Sequence, residues 1–466
     1  MFRRAILLAA ALGVVLASTA PAQDKGFRAG AYAQDITPVK FPVSVNGGMQ
    51  DHFAKEAHDR LHARCLVLDD GTTRIAFAVC DSCMIPREIT DEAKRLAHKA
   101  TGIPPERILI SATHTHSAAT VAGVFQSDPD PDYVKYLPGR IAKGIERAQA
   151  NLAAARIGWG VGKNERQVFN RRWKMKEPQA DPFGAVRDKV KMNPGYLNPA
   201  LLEPAGPTDP DASFLSLVSP DGKARALLAN YSLHYVGGFP ALSADYFGAF
   251  AERIGASLDV DKDFVGILSN GTSGDINNIN YGKAAPGTLK PGEKIGLVAA
   301  DLAETVQRAW KKTDHRAAAL LRMTQREIEL GVRLPGKEDI ARAEAILAKS
   351  PKLTTLPQVY ARETVLLAKY PSKVKCVLQA IRIGDLAIVA TPCETFVEIG
   401  LELKRKSPFK HTFTIELANG YNGYLPTPEQ HALGGYETWR ARSAYLEENA
   451  SVVITRNLLE MLAELK

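Results

Sequence analysis

Two histidines one residue apart, His114 and His116, close the stretch Arg107-Ile-Leu-Ile-Ser-Ala-Thr-His-Thr-His-Ser117. The apolar run before them reads as a buried strand. Side chains at i and i+2 of a strand share a face, so both imidazoles are predicted to reach one point at the strand's carboxyl end. In α/β sheets that edge is where ligands bind. The chemistry expected there is a metal site or an acid–base pair. A lone imidazole is more often a satisfied core residue; a strand-end pair points to function.

Further along the chain, His234 supplies a third imidazole. Glu394 follows Cys393 at the start of a predicted helix. It reads equally as a carboxylate ligand or as a helix-capping acid favoured by the dipole. Tyr421 and Tyr424 fall in the Gly-rich turn Asn419-Gly-Tyr-Asn-Gly-Tyr424, a place where tyrosines usually pack. The five cysteines are Cys65, Cys80, Cys83, Cys376 and Cys393, and the odd count leaves at least one unpaired. Cys80-Asp-Ser-Cys83 has redox or zinc spacing, but Cys80 closes an apolar run and no second CxxC exists. Buried small hydrophobes are the expectation; a Cys80–Cys83 disulfide stays open in an oxidising compartment.

The elements that must position these groups are read from apolar periodicity. Strands are predicted at 65–68 and 74–80 around the turn Asp69-Asp-Gly-Thr72, then at 213–218, 224–232, 264–269, 317–330, 374–383, 386–390 and 412–417. Helices are predicted at 88–100, 131–153, 247–258, 292–310, 338–348, 394–406 and 446–465. Residues 164–211, rich in Pro, Lys and Asp, read as a long excursion of the kind that forms functional lids. Five strands end in polar, potentially chemical residues: His114-Thr-His116, Asn230 to His234, Ser269 to Asp275, Thr391 to Glu394 and Asn419 to Tyr424. All five endings follow their apolar run. That predicts an α/β architecture of mixed sheets packed with helices, with the site at the strands' carboxyl ends.

Composition and charge bound the partners. The chain has 45% hydrophobic and 24% charged residues, which excludes a largely disordered protein. Arg3 and Arg4, the apolar stretch Ala5 to Ser18 and the site Ala20-Pro-Ala22 predict a signal peptide over 1–22, cleaved before Gln23. The mature protein is therefore expected to be secreted or periplasmic, with no transmembrane segment. Loss of Arg3 and Arg4 takes the formal charge from +8 to +6, a mild excess. Lys174-Met-Lys-Glu-Pro178 and Arg187-Asp-Lys-Val-Lys-Met192 are basic clusters, but only Trp173 lies beside them. That is not the aromatic interleaving of a nucleic-acid surface, so no nucleic-acid partner is expected and the clusters read as a solvated loop.

The chain resembles the neutral (non-lysosomal) ceramidase family in its catalytic domain. The resemblance rests on Ser111-Ala-Thr-His-Thr-His-Ser117, Asn170-Arg171, Asn230 with His234, Gly274-Asp275, Pro392-Cys-Glu394, and Asn419 to Tyr424 followed by Gly435-Tyr436-Glu437. It spans most of the mature chain in the same order, which implies one catalytic domain over 23–466. It implies a zinc amidase that cleaves an N-acyl bond with a metal-activated water. The ligands implied are His114, His234, Glu394 and Tyr424. His116, Arg171, Tyr436 and Asp275 are implied on the catalytic side, with Asn277 and Tyr421 as candidate substrate contacts. Asn277 stands where the family pattern carries a serine, which excludes a serine acyl-enzyme at that position. The C-terminal β-sandwich of characterised ceramidases is not expected here. The expected substrate is thus an N-acylated lipid or a smaller amide. A lipid- or glycan-binding relative and a metal-dependent esterase are the alternatives.

Overall fold

A computed structural model describes residues 26–466. The predicted signal peptide over 1–22 lies outside the described residues. Three β–α–β units organise the rest. In the first, helix Arg87–Thr101 connects strands Arg74–Cys80 and Ile108–Ala112, which pair in parallel with Phe77 opposite Leu109. The second joins Ala224–Tyr231 to Val260–Asn270 through helix Asp245–Ser257, with Leu228 opposite Ile267. The third joins Leu386–Ala390 to His411–Ile415 through helix Val397–Lys406, with Ile388 opposite Phe413.

Each unit forms one edge of its own mixed sheet. Antiparallel strands complete the three sheets: His62–Asp69, Arg28–Asp35 and the short Ala153–Ala154 in the first, Asp211–Val218 and Arg156–Lys163 in the second, Lys373–Ile383 and Leu321–Gly331 in the third. The fold is therefore α/β with mixed sheets, as the alternation of apolar runs predicts. The sheets turn apolar faces to one another. Phe77, Leu109, Leu228, Ile267, Ile388 and Phe413 are all buried in a single cluster. Burial of each such side chain stabilises by about 1.5–3 kcal/mol, which makes this shared core the main force holding the three edges together.

Main-chain bonds then align the strand ends. Beyond the third unit, Asn419 N–H donates to the Ile110 carbonyl (2.7 Å) and the Leu417 carbonyl accepts from Ala112 (3.1 Å). Glu416 N–H donates to Asn270 (3.2 Å). Asn230 adds a side-chain tie, its amide donating to Ser269 Oγ, the Asn270 carbonyl and the Thr414 carbonyl. The carboxyl ends of parallel strands from three sheets thus meet at one place.

The 164–211 segment departs from the sequence expectation. It is largely a three-stranded antiparallel sheet of Arg172–Ala180, Val186–Met192 and Leu201–Pro204. At its root, Phe169–Asn170 pairs with Ile276–Asn277. Lysines and acids on its exposed faces mask the alternation that would mark strands. All five cysteines are buried and free, which settles the Cys80–Cys83 alternative in favour of packing. Among the described residues, no helix is long and apolar enough to cross a membrane.

Candidate metal centre

His114 and His116 do converge, but not through strand alternation. The strand ends at Ala112, and His114 sits in the left-handed region at φ 73°. The turn is fixed by Thr113 N–H to the Cys80 carbonyl and His114 N–H to the Ser82 carbonyl, both 2.9 Å. A left-handed non-glycine residue is costly and persists only where its surroundings impose it. Here it turns the His114 ring inward. His114 Nε2 lies 3.2 Å from His116 Nε2 and 3.0 Å from His234 Nε2.

The opposite nitrogens explain why these atoms meet. His114 Nδ1 lies 2.7 Å from the Cys83 carbonyl and His234 Nδ1 lies 3.1 Å from that of Ser273. The Gly47 main chain packs closely on His116, where an added Cβ would lie 2.5 Å from Nδ1. Rings that spend Nδ1–H on a carbonyl present Nε2 as a lone pair. The two such lone pairs of His114 and His234 repel unless a cation lies between them. Glu394 completes the set. Its Oε2 is buried, accepts no hydrogen bond, and sits 3.1 Å from His114 Nε2 and 4.0 Å from His234 Nε2. An orphaned buried carboxylate oxygen is expensive. The donor atoms of His114, His234 and Glu394 lie within 4.8 Å of one another. Two imidazole nitrogens and a carboxylate oxygen in that arrangement fit a divalent zinc ion.

Glu394 is not the helix cap that sequence allowed. It lies in the short strand Glu394–Thr395, parallel to Tyr424–Leu425, with Glu394 directly opposite Tyr424. The helix begins later, after Phe396. Burial pushes the Glu394 carboxyl up, but His114, the Tyr424 hydroxyl and Arg171 together hold it below its ordinary value. The centre is therefore built for an ionised carboxylate. Tyr421 donates to Glu394 Oε1 (2.9 Å), so its hydroxyl orients this carboxylate.

Arg171 borders the same carboxylate from the other side. Its Nη2 donates to the Tyr424 hydroxyl (3.0 Å) and its Nε to Glu437 Oε1 (2.9 Å). Glu437 is fully buried and also receives Arg172 Nη1 at 2.6 Å. The Tyr436 ring meets the Tyr424 ring edge-on at 5.6 Å between centroids, and Tyr436 is half-buried. His116 and Tyr436, with Tyr235, are partly open, whereas His114, His234 and Glu394 are sealed. The site therefore opens on the His116–Tyr436 side. Burial pushes His116 and His234 well below the ordinary imidazole value, and the Arg171 guanidinium acts in the same direction.

Two other residues singled out by sequence stand apart from the histidines. The Asp275 carboxylate accepts from Asn170 Nδ2 (2.7 Å) and Val397 N–H (2.9 Å), and its carbonyl accepts Arg171 N–H (2.8 Å). It holds the chain that carries Arg171. Asn277 donates to Asn193 Oδ1 (2.9 Å) and accepts Ile279 N–H (2.9 Å), which ties the excursion to the loop after the second unit. Three contributors have roles that residue type does not reveal. Glu437 forks two arginines. Tyr235 stacks on His116 with centroids 3.6 Å apart and planes at 13°. Glu416, fully buried, accepts Ser273 Oγ (2.6 Å) and Thr395 N–H (2.6 Å), one contact on each metal-side loop. Adjacency to His234 could have signalled Tyr235, and adjacency to Tyr436 could have signalled Glu437; Glu416 had no such marker.

No family model matches the sequence. Solved structures do match the fold. The crystal structure of neutral ceramidase from Pseudomonas aeruginosa superposes with a TM-score of 0.72 at 19% identity, over 95% of this chain and 75% of that one. A ceramidase complexed with C2 superposes at 0.69 and 18% identity, over the same shares. The chain has the neutral ceramidase fold. Within that fold, the motifs that carry the sequence resemblance converge from separate segments: His114 and His234 meet Glu394, and Arg171 meets Tyr424.

Proposed function

We propose that this protein is an exported zinc-dependent amidohydrolase that cleaves an N-acyl bond. The observation that carries the reading is the orphaned Glu394 Oε2 facing the Nε2 atoms of His114 and His234. The ceramidase fold supports the amide class, and the signal-peptide pattern of residues 1–22 supports export. His114, His234 and Glu394 would hold the ion, with Tyr424 as the fourth protein ligand opposite Glu394. When bound, zinc supplies Lewis acidity and brings water ionisation near neutral pH.

The remaining chemistry belongs to the chain. His116 Nε2 faces the centre from the open side, where it can take a proton and return it to the leaving amine. Arg171 and Tyr436 flank Tyr424 and stabilise negative charge that develops on the substrate carbonyl oxygen. Glu437 keeps the guanidinium in place. Nothing in this scheme needs a nucleophile at position 277, where Asn277 is occupied in holding Asn193. An N-acylated lipid or a smaller amide is the proposed substrate class.

Elemental analysis of purified protein, paired with hydrolysis of N-acyl substrates of short and long chain, tests the reading. One zinc per chain with amide turnover is expected, and His114→Ala and Glu394→Ala should each lose both. Stoichiometric zinc retained by both variants overturns the ligand assignment. Zinc without hydrolysis of any amide overturns the activity.

A further inference from the structure

His116 is gripped on two sides by residues that lie outside every motif described above, Gly47 and Tyr235. On one side is the Gly47 main chain, at φ 105°. A Cβ added there would lie 2.4 Å from His116 Cγ and 2.5 Å from its Nδ1, so only glycine permits the approach. On the other side is Tyr235, whose ring lies 3.6 Å from the imidazole centroid and within 13° of parallel. We infer that Tyr235 is a positioning residue, whose aromatic face pins the His116 ring against Gly47 and so fixes the direction of Nε2.

The backbone around Tyr235 is held as a support would be. Asp245 is buried and accepts Gly237 N–H (2.8 Å) and Val236 N–H (3.2 Å), immediately after the tyrosine. Asn278 Nδ2 donates to the Tyr235 carbonyl (3.4 Å). On the preceding side, the His234 ring is fixed by Ser273. The aromatic ring is therefore a fixed wall at the partly open mouth of the site. Sealed rings such as His114 need no such wall, because packing already surrounds them. His116 is the partly open member of the trio, and without a stacking partner its ring could rotate toward the opening. A proton-transfer group loses rate when it leaves hydrogen-bond reach of the reacting atoms. The flat face of the ring carries this role; the hydroxyl does not.

The role of His116 in turnover rests on the hydrolase reading above, so the test has a readout independent of activity. The full chain is loaded with zinc, and histidine side chains are labelled with ¹³C at Cε1. Stacking on an aromatic ring displaces the His116 proton signal by ring current. Tyr235→Phe should keep that displacement and keep kcat within about twofold. Tyr235→Leu should lose the displacement and lower kcat about tenfold or more, part of the 10²–10⁴ range of a positioned acid–base group, with KM little changed. A Leu variant with the wild-type signal and kcat overturns the inference. A Phe variant as impaired as the Leu variant also overturns it, since the hydroxyl would then be responsible. If zinc-loaded wild type hydrolyses no amide, the hydrolase reading fails, while the His116 signal in the two variants still decides whether Tyr235 fixes the ring.

Discussion

The two sides of the centre are held in different ways. On the metal side, the imidazoles of His114 and His234 are oriented by the main-chain carbonyls of Cys83 and Ser273. On the Arg171 side, orientation comes from a side chain, Glu437, 266 residues away in sequence. A carbonyl is present whatever residue bears it, so the metal side tolerates substitution of its supports as long as the turns keep their shape. The other side depends on one carboxylate shared by Arg171 and Arg172. The difference predicts where single substitutions separate metal binding from turnover.

The sharpest separation is expected at Arg171. Arg171→Met should leave zinc stoichiometric and reduce kcat about 10²–10³-fold, the usual loss for one oxyanion-stabilising donor. Glu437→Gln should act in the same direction more weakly, because Gln cannot serve both guanidiniums as an anion. It should also destabilise the fold, since it leaves buried positive charge uncompensated. Zinc content, steady-state kinetics and thermal melting on one set of samples resolve these effects. Loss of zinc from Arg171→Met would erase the distinction between the two sides.

Glu416 tests the metal side, where it gives side-chain support, as Tyr421 does to Glu394. Its carboxylate joins Ser273, which aims His234, to Thr395, the neighbour of Glu394. Removing groups that orient metal ligands typically costs 10–100-fold in affinity. Glu416→Ala is therefore expected to weaken zinc binding by about that factor in a chelator competition, with kcat of the saturated enzyme changed less. An unchanged zinc affinity would show that Gly274 N–H to the Thr395 carbonyl (2.9 Å) suffices to join the two loops.

The same contrast explains what the sequence revealed. Residue type draws attention to His114, His234 and Glu394 after their apolar runs, but alone it leaves a core imidazole or a helix-capping acid open, and the resemblance joined them into one set. The strands that deliver them were legible too, since buried runs such as Ile108–Ala112 are apolar but for Ser111. The geometry was not. His114 reaches the centre through a left-handed turn, and carbonyl supports leave no trace in residue identity. Glu394 reads as a helix start because a two-residue strand has no periodicity to detect. On the other side, Arg171 was legible only through resemblance, and its partner Glu437 depends on a pairing across most of the chain. Tyr235 was overlooked because one aromatic beside a histidine is common in packed cores.

Asp275 offers the smallest and most specific test, since it supports the Arg171 side without touching the histidines' carbonyl anchors. Burial pushes its carboxyl up from 3.8 to about 7, against the pull of Val397 N–H, Arg172 and Asn170. The folded state keeps a proton over a range in which the unfolded chain releases it. The stability this group contributes is therefore complete below its ordinary value of 3.8 and is lost as pH rises to about 7. Asp275→Asn has no such proton to lose. The difference in Tm, variant minus wild type, should rise between roughly pH 4 and pH 7 by on the order of a few °C, then level off. A difference that stays flat across that window would mean the carboxyl ionises as an ordinary aspartate. Asn170 Nδ2 and Val397 N–H would then hold it as an anion, and Asp275 would join Glu437 as a charged support of the arginine segment.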